Sequence, residues 1–192
     1  MAGRRSDTRE RIQRIALELF AEQGYEKTSL REIAEKLDVT KAALYYHFRT
    51  KEDIVASLLD DLAKSMDEVL TWARAQEDNT GTRQELIRRL ADLVEGQFGP
   101  LMRFMQENQP TLKGFQDRNP LVHRMKELFT IIAADERDPH AQLRARLALI
   151  ALMVGNNPQF QEENPGVAPS KVALEVALEL VSPRGQGAGG AT

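Results

Sequence analysis

The stretch Ser29–Phe48, SLREIAEKLDVTKAALYYHF, decides the fold. Ser29 followed three residues later by Glu32 is a capping box, in which a hydroxyl and a carboxylate each satisfy an orphan backbone N–H at a helix start. Thr28 is the alternative cap. Leu30, Ile33, Ala34 and Leu37 recur at helical spacing and give this short helix one apolar face. Thr40 is placed to cap a second short helix ending near His47. Two short helices joined by Leu37-Asp38-Val39 make a helix-turn-helix. Where the helices cross, a small residue is needed, and Ala34 supplies it. In the turn a left-handed residue is needed, and Asp38 belongs to the few non-glycine types that tolerate that conformation.

Val39, Leu44 and Phe48 are spaced to lock the second helix down. That leaves Thr40, Lys41, Ala42, Tyr45, Tyr46 and His47 for its outer face and edges. Phenol, imidazole and ammonium groups are donors suited to phosphate oxygens, and Ala42 is small enough to let the helix sink into a major groove. Double-stranded DNA is the partner such a surface implies.

Working outward, Ile12, Ile15, Ala16, Leu19 and Phe20 form an apolar helical stripe that stops at Gly24, a natural helix end. Thr50 with Asp53 is a second capping box. It opens a long helix through Ile54, Leu58, Leu62 and Val69 to about Ala75. The polar stretch 76–82 reads as a loop. Further helices are expected over 83–97, 99–107, 119–134, 139–155 and 170–181, punctuated by Pro110, Pro120, Pro158, Pro165 and Pro169. The tail 183–192 has no apolar anchor and is expected to be disordered. No stretch alternates as a strand would, so the chain is expected to be all-α.

Composition narrows the function. There is no cysteine, which excludes disulfides, thiolate metal sites and cysteine catalysis. The three histidines, His47, His123 and His140, sit in no nucleophile, phosphate-loop or metallohydrolase motif. Neither an enzyme nor a metal or other cofactor is expected. No run reaches the roughly 18–20 apolar residues of a membrane span, and the N-terminus MAGRRSDTRE lacks a signal-peptide core, so the expected location is the cytoplasm. Net charge is −3, yet residues 1–52 hold 11 Lys or Arg against 9 Asp or Glu. The front end is therefore the part suited to phosphates.

From Thr8 to Leu58 the chain resembles the N-terminal domain of TetR-family transcriptional regulators. The matching pieces are Ile15-Ala-Leu-Glu-Leu-Phe20, Glu22-Gln-Gly-Tyr25, Thr28-Ser29, Ile33-Ala34, Val39-Thr40, Leu44-Tyr-Tyr-His-Phe48 and Lys51. Asp38 departs from the glycine usual in that family. The resemblance implies a homodimer whose third helix enters the major groove. Lys41, Ala42 and Tyr45 are then the base-edge contacts, while Thr28, Thr40, Tyr46, His47 and Lys51 hold phosphates. Lys51 also stands in the first turn of the fourth helix, where backbone amides favour an anion. Arg4 and Arg5 are candidates for a flexible minor-groove arm.

The resemblance divides the chain into a reader, 1–52, a helical regulatory and dimerisation domain, 53–182, and the tail. It implies a repressor released from a palindromic operator by a small apolar or amphipathic ligand. The alternative is a repressor that needs no ligand or answers to a protein partner. Residues 141–154 are apolar nearly all round. Val172, Val176 and Leu180 with Leu174, Leu178 and Val181 widen the apolar face of the last helix. These two helices are the candidates for a four-helix dimer interface. Trp72, Phe98, Met102, Phe104, Met105, Phe115, Met125 and Phe129 concentrate aromatics and methionines in the middle helices. They are the candidate ligand pocket, with Asn108, His123, Asn156 and Asn157 as possible polar anchors.

Overall fold

A computed structural model describes residues 2–108, 120–133, 137–155, 160 and 166–182, apart from the side chains of 2–6, 97, 102 and 106. Among the described residues there are nine α-helices and no strand. They are α1 (Ala2–Gln23), α2 (Leu30–Lys36), α3 (Lys41–His47), α4 (Lys51–Arg74), α5 (Thr80–Leu93), α6 (Gly99–Glu107), α7 (Leu121–Ala133), α8 (Pro139–Gly155) and α9 (Pro169–Val181). None of them is long and apolar enough to cross a membrane. The chain divides into two compact units, Met1–Lys64 with Gln97–Leu121, and Ser65–Gly96 with Val122–Thr192. The expected division at 52/53 falls inside α4, because α4 continues unbroken through that point. The expected tail, 183–192, lies outside the described residues.

In the first unit the caps set the helix boundaries. The Glu32 N–H donates to Ser29 Oγ at 3.2 Å and the Ser29 N–H donates to Glu32 Oε2 at 2.7 Å, completing the expected box. Thr40 Oγ1 accepts from the Ala43 N–H at 3.2 Å. Thr50 and Asp53 cap each other's backbone at 3.1 and 3.0 Å, which starts α4. Gly24 ends α1 with φ +92° while its N–H reaches the Phe20 carbonyl at 3.1 Å. A side chain at that φ would be strained. Ile12, Ala16, Phe20, Ile33, Ala34, Leu44, Phe48, Ile54 and Val55 are buried and form the core. Asp38 occupies the left-handed region with φ 55°, and the Val39 N–H then turns back to the Ala34 carbonyl at 3.1 Å.

In the second unit α8 and α9 lie against each other through small residues. Ala145, Ala148, Leu152 and Gly155 face Ala173, Ala177 and Val181, all buried. A Cβ on Gly155 would stand 2.2 Å from the Ala173 Cβ, so the end of α8 must be glycine for α9 to approach this closely. Leu86, Ile87 and Leu90 of α5 supply further core. Two ion pairs tie α4 to α7: Arg124 Nε reaches Asp67 Oδ1 at 2.8 Å, and Arg74 grips both Glu127 oxygens at 2.7 Å.

The expected loop 76–82 is shorter than its polarity suggests. Asn79 caps α5, its Oδ1 accepting from the Thr82 N–H at 2.9 Å, so the helix begins at Thr80 rather than 83. It also ends early. Residues Val94–Phe98 form a π-helical turn in which Gly96 leaves helical geometry (ψ −144°).

Relieving the left-handed turn should stabilise the protein. Asp38→Gly is expected to add roughly 0.5–1 kcal/mol, whereas Asp38→Val, β-branched at positive φ, should cost at least about 1 kcal/mol. Urea denaturation of the two variants checks the sign.

Candidate functional site

The surface of α3 follows from what lies behind it. Leu44 is fully buried and Phe48 nearly so, with the Arg9 guanidinium 5.7 Å from the Phe48 ring centre. At 100° per residue, Lys41, Ala42, Tyr45 and Tyr46 occupy an arc of about 140° directed away from that anchor. All four are exposed, Tyr45 at 42% and Tyr46 at 68%. Tyrosines so open to water, at the end of a seven-residue helix, are a surface feature rather than core. Lys41 Nζ lies 5.4 Å from the Tyr45 ring centre, a cation–π contact that holds the two together. The Tyr46 and His47 rings meet edge to face at 5.3 Å. Thr40 is exposed, and because its Oγ1 accepts the cap bond, its hydroxyl proton is left to donate outward.

Three expected phosphate or groove contacts stand differently. Thr28 is 2% exposed; its hydroxyl lies 2.9 Å from the Gly24 carbonyl and 3.3 Å from that of Leu19, and it accepts from Gln23 Nε2 at 3.2 Å. It fastens the α1–α2 turn and offers nothing to a phosphate. Lys51 is in the first turn of α4 as expected, but its ammonium donates to the Tyr25 carbonyl at 2.5 Å and sits 4.3 Å from the centre of the Tyr25 ring. The amides at that helix start are also met by carboxylates. Asp53 accepts from the Arg49 and Thr50 N–H groups, both at 3.0 Å. Burial works against charge on Glu52, yet its own backbone N–H, the Tyr25 hydroxyl and Thr50 together hold its carboxyl below the usual range. Finally, α1 runs back to Ala2, which puts Arg4 and Arg5 on helical backbone rather than on a flexible arm.

The structure also brings forward residues that motif reading passes over. Gln13 is 2% exposed and its Nε2 donates to Ser57 Oγ at 2.9 Å and Asp61 Oδ2 at 2.7 Å, joining α1 to α4. The periodicity held the signal: Gln13 stands on the same face as Ala16 and Phe20, a polar side chain where an apolar one belongs. Burial alone would push the Asp61 carboxyl up. Its hydrogen bonds from Gln13 and Lys64 and the charge of Arg9 outweigh that and hold it below its ordinary value.

The aromatic and methionine set expected to line one pocket is divided. Phe98 is buried and Met105 half-buried in the first unit. Trp72, Met125 and Phe129 are half-buried in the second, where Arg89 covers the Trp72 ring at 4.1 Å and Arg146 lies 5.4 Å from the centre of Phe129. Phe104 is core, stacked on Phe20 at 5.1 Å. Phe115, Asn156 and Asn157 lie outside the described residues, as does the side chain of Met102. Asn108 caps α6 by donating to the Phe104 carbonyl at 2.9 Å, and His123 is exposed.

With this geometry in view, comparison with known proteins is decisive. Residues 12–58 match the model for "Bacterial regulatory proteins, tetR family". The transcriptional regulator TcmR of Streptomyces glaucescens is 30% identical over 190 residues, covering 92% of this chain and 83% of TcmR. The chain belongs to the TetR family. The transcriptional regulator AcrR of Shigella flexneri is 44% identical over 52 residues, a match spanning 27% of this chain and 24% of AcrR's length. In fold, the crystal structure of Mycobacterium smegmatis AmtR superposes with a TM-score of 0.68 at 24% identity, covering 93% of this chain and 87% of that one. The match to the TetR-family model begins at Ile12 and closes at Leu58, so it contains α2, α3 and the start of α4.

The α1–α4 link makes stability depend on pH with a definite sign. The folded Asp61 carboxyl titrates below its unfolded counterpart, near 3.9. Its contribution is therefore complete above the unfolded value and is lost as pH falls through the folded one. Asp61→Asn should be less stable than the parent chain at pH 7, and the gap should close as pH falls below about 4. Urea denaturation at the two pH values measures it.

Proposed function

We propose that this chain is a dimeric, sequence-specific transcriptional repressor that leaves a palindromic operator when its regulatory domain binds a small ligand. One observation carries the reading: a short helix fastened from behind by Leu44 and Phe48 presents Lys41, Ala42, Tyr45 and Tyr46 to solvent. A helix fixed so offers base-edge contacts from Lys41, Ala42 and Tyr45, with phosphates held by Thr40, Tyr46 and His47. Residues 1–52 act as the reader and 53–182 as the regulatory and dimerisation part. Within the latter, the half-buried Trp72, Met125 and Phe129 are the pocket residues we favour.

Dimerisation is supported by an apolar stripe. Leu143, Leu147, Ile150 and Val154 on α8 are exposed at 56, 42, 51 and 49%, and Val176 on α9 at 42%. Steps of four, three and four residues place the four α8 side chains on one helix face. Isolated surface hydrophobes are ordinary, but a continuous row of them marks an interface. Two α8–α9 pairs meeting across a two-fold axis would cover it as a four-helix bundle. Two copies of α3 would then address successive major grooves, which requires a separation of about 34–36 Å.

Selection of bound fragments from random duplex DNA should return a palindrome. On that sequence Tyr46→Phe should weaken matched and mismatched sites alike, by about fivefold for one neutral donor. Lys41→Ala should instead flatten the preference at one position of each half-site. Uniform loss with Lys41→Ala would remove it from base readout. Ile150→Glu should give a monomer by sedimentation and lose operator affinity by roughly a hundredfold or more, since each reader then binds alone. A variant that stays dimeric would move the interface elsewhere.

A further inference from the structure

The second unit holds a cavity of about 380 Å³ that no part of the regulator reading uses. It opens where the first turn of α5, the end of α7, the start of α8 and the end of α9 come together. Its floor is apolar: Ile132, Ala133, Ala145 and Val181 are all buried. Its wall is cationic, with Arg83 from α5 and Arg144 from α8, and the imidazole of His140 beside them.

The two guanidinium groups are held in different ways. Arg144 donates from Nε to the Leu180 carbonyl at 2.7 Å and from Nη2 to those of Ser182 and Glu179 at 2.8 and 3.0 Å. It thus caps the end of α9 and keeps its charge fixed in the wall. Arg83 is withdrawn from water, its side chain 14% exposed, but its carboxylate partner Asp78 stands 72% exposed. A surface carboxylate of that kind contributes little and exchanges readily, whereas a largely withdrawn guanidinium, whose other contact is Thr80 Oγ1 at 3.5 Å, keeps its need for an anion. Among the described lining residues the acid is Asp138, which spends Oδ1 on the His140 N–H at 2.9 Å. Among the described residues, a fixed Arg144 and an Arg83 held by an exposed carboxylate therefore stand over an apolar floor.

The geometry points to a binding site for a small amphipathic monocarboxylate, its carboxylate taken by Arg83 in exchange for Asp78 and its apolar part seated on Ile132, Ala133, Ala145 and Val181. At about 30 Å³ per heavy atom the cavity holds about a dozen such atoms, the size of a medium-length carboxylic acid. Neither an inorganic anion nor a plain hydrocarbon meets both halves of the lining. The site is a property of the protein without DNA and stands independently of operator binding.

Calorimetric titration of the full chain at pH 7 with octanoate, and with octan-1-ol as the uncharged match, tests the assignment. Octanoate should bind at least about tenfold more tightly than octan-1-ol, the expected gain from a charge-assisted bond in place of a neutral one. Arg83→Gln should erase that difference while keeping octan-1-ol binding. Asp78→Asn, which removes the competing carboxylate, should tighten octanoate. Ala141→Phe, which puts a bulky ring into the lining, should abolish both. No octanoate binding, equal affinity for acid and alcohol, or octanoate binding indifferent to both Asp78→Asn and Ala141→Phe would overturn the proposal, even where Arg83→Gln fails to fold. None of these outcomes bears on whether the chain selects a palindrome from random DNA.

Discussion

The first unit depends on how Tyr25 is held. Its ring is 3% exposed, meets Phe20 edge to face at 5.0 Å, leans on Phe104 at 5.5 Å and carries the Lys51 ammonium over its face. Its carbonyl accepts a hydrogen bond from the Lys51 ammonium and its hydroxyl donates to Glu52 Oε1 at 2.8 Å. Burial, and then the bond to Glu52, push the phenol well above its usual pKa, so it remains a donor at any ordinary pH. One residue just past the end of α1 thereby fixes the start of α4 and touches α6. Because α2 and α3 are only seven residues each, too short to be stable in isolation, their orientation is inherited from this anchoring and from Leu44 and Phe48. So small a helix keeps one orientation only because it has nowhere else to go.

That dependence explains which parts of the structure were legible in the sequence. Caps are local: Ser29 with Glu32, Thr40, and Thr50 with Asp53 need only their own neighbours, and each appears as the spacing predicts. Asp38 was legible because few residues suit positive φ and the turn requires one. What the sequence could not disclose were the carbonyls that folding brings against a side chain. Thr28 reads as a cap or a phosphate donor until the carbonyls of Leu19 and Gly24 are seen to surround it. Lys51 reads as a free cation until the Tyr25 carbonyl is placed beside it. The start of α5 was missed for a simpler reason, since polarity made 79–82 look like loop although Asn79 is a good cap.

The pocket was the least legible feature because residue type does not reveal which apolar side chains share a space. Phe104 illustrates this: its composition suggests a cavity wall, but its ring is packed in a cluster with Phe20 at 5.1 Å and Tyr25 at 5.5 Å. The Arg83 cavity was equally hidden, for the opposite reason. Its lining comes from four helices spread over a hundred residues of chain, and its charged members look, one at a time, like ordinary surface arginines.

Charge raises a last question, because a chain with net charge −3 is expected to be repelled by DNA. The structure removes the conflict by making the relevant charge local. At physiological salt, potentials fade over about 8 Å, so acids more than a helix diameter from α3 count for little there. Some of those near it in the chain are paired, Glu35 with Arg31 at 2.7 Å and Glu22 with Lys36 at 3.0 Å, while Glu32 and Asp53 keep their charge on hydroxyl and amide donors and Asp38 stands exposed in the turn. Lys41 is thereby the cation presented on the exposed arc of α3, steadied by Tyr45. A surface with so few cations gains little from sequence-blind phosphate attraction. On the function proposed above, affinity for DNA comes mainly from contacts that a matched site completes and a mismatched one does not, which is the balance a repressor facing a whole genome of competing sites requires.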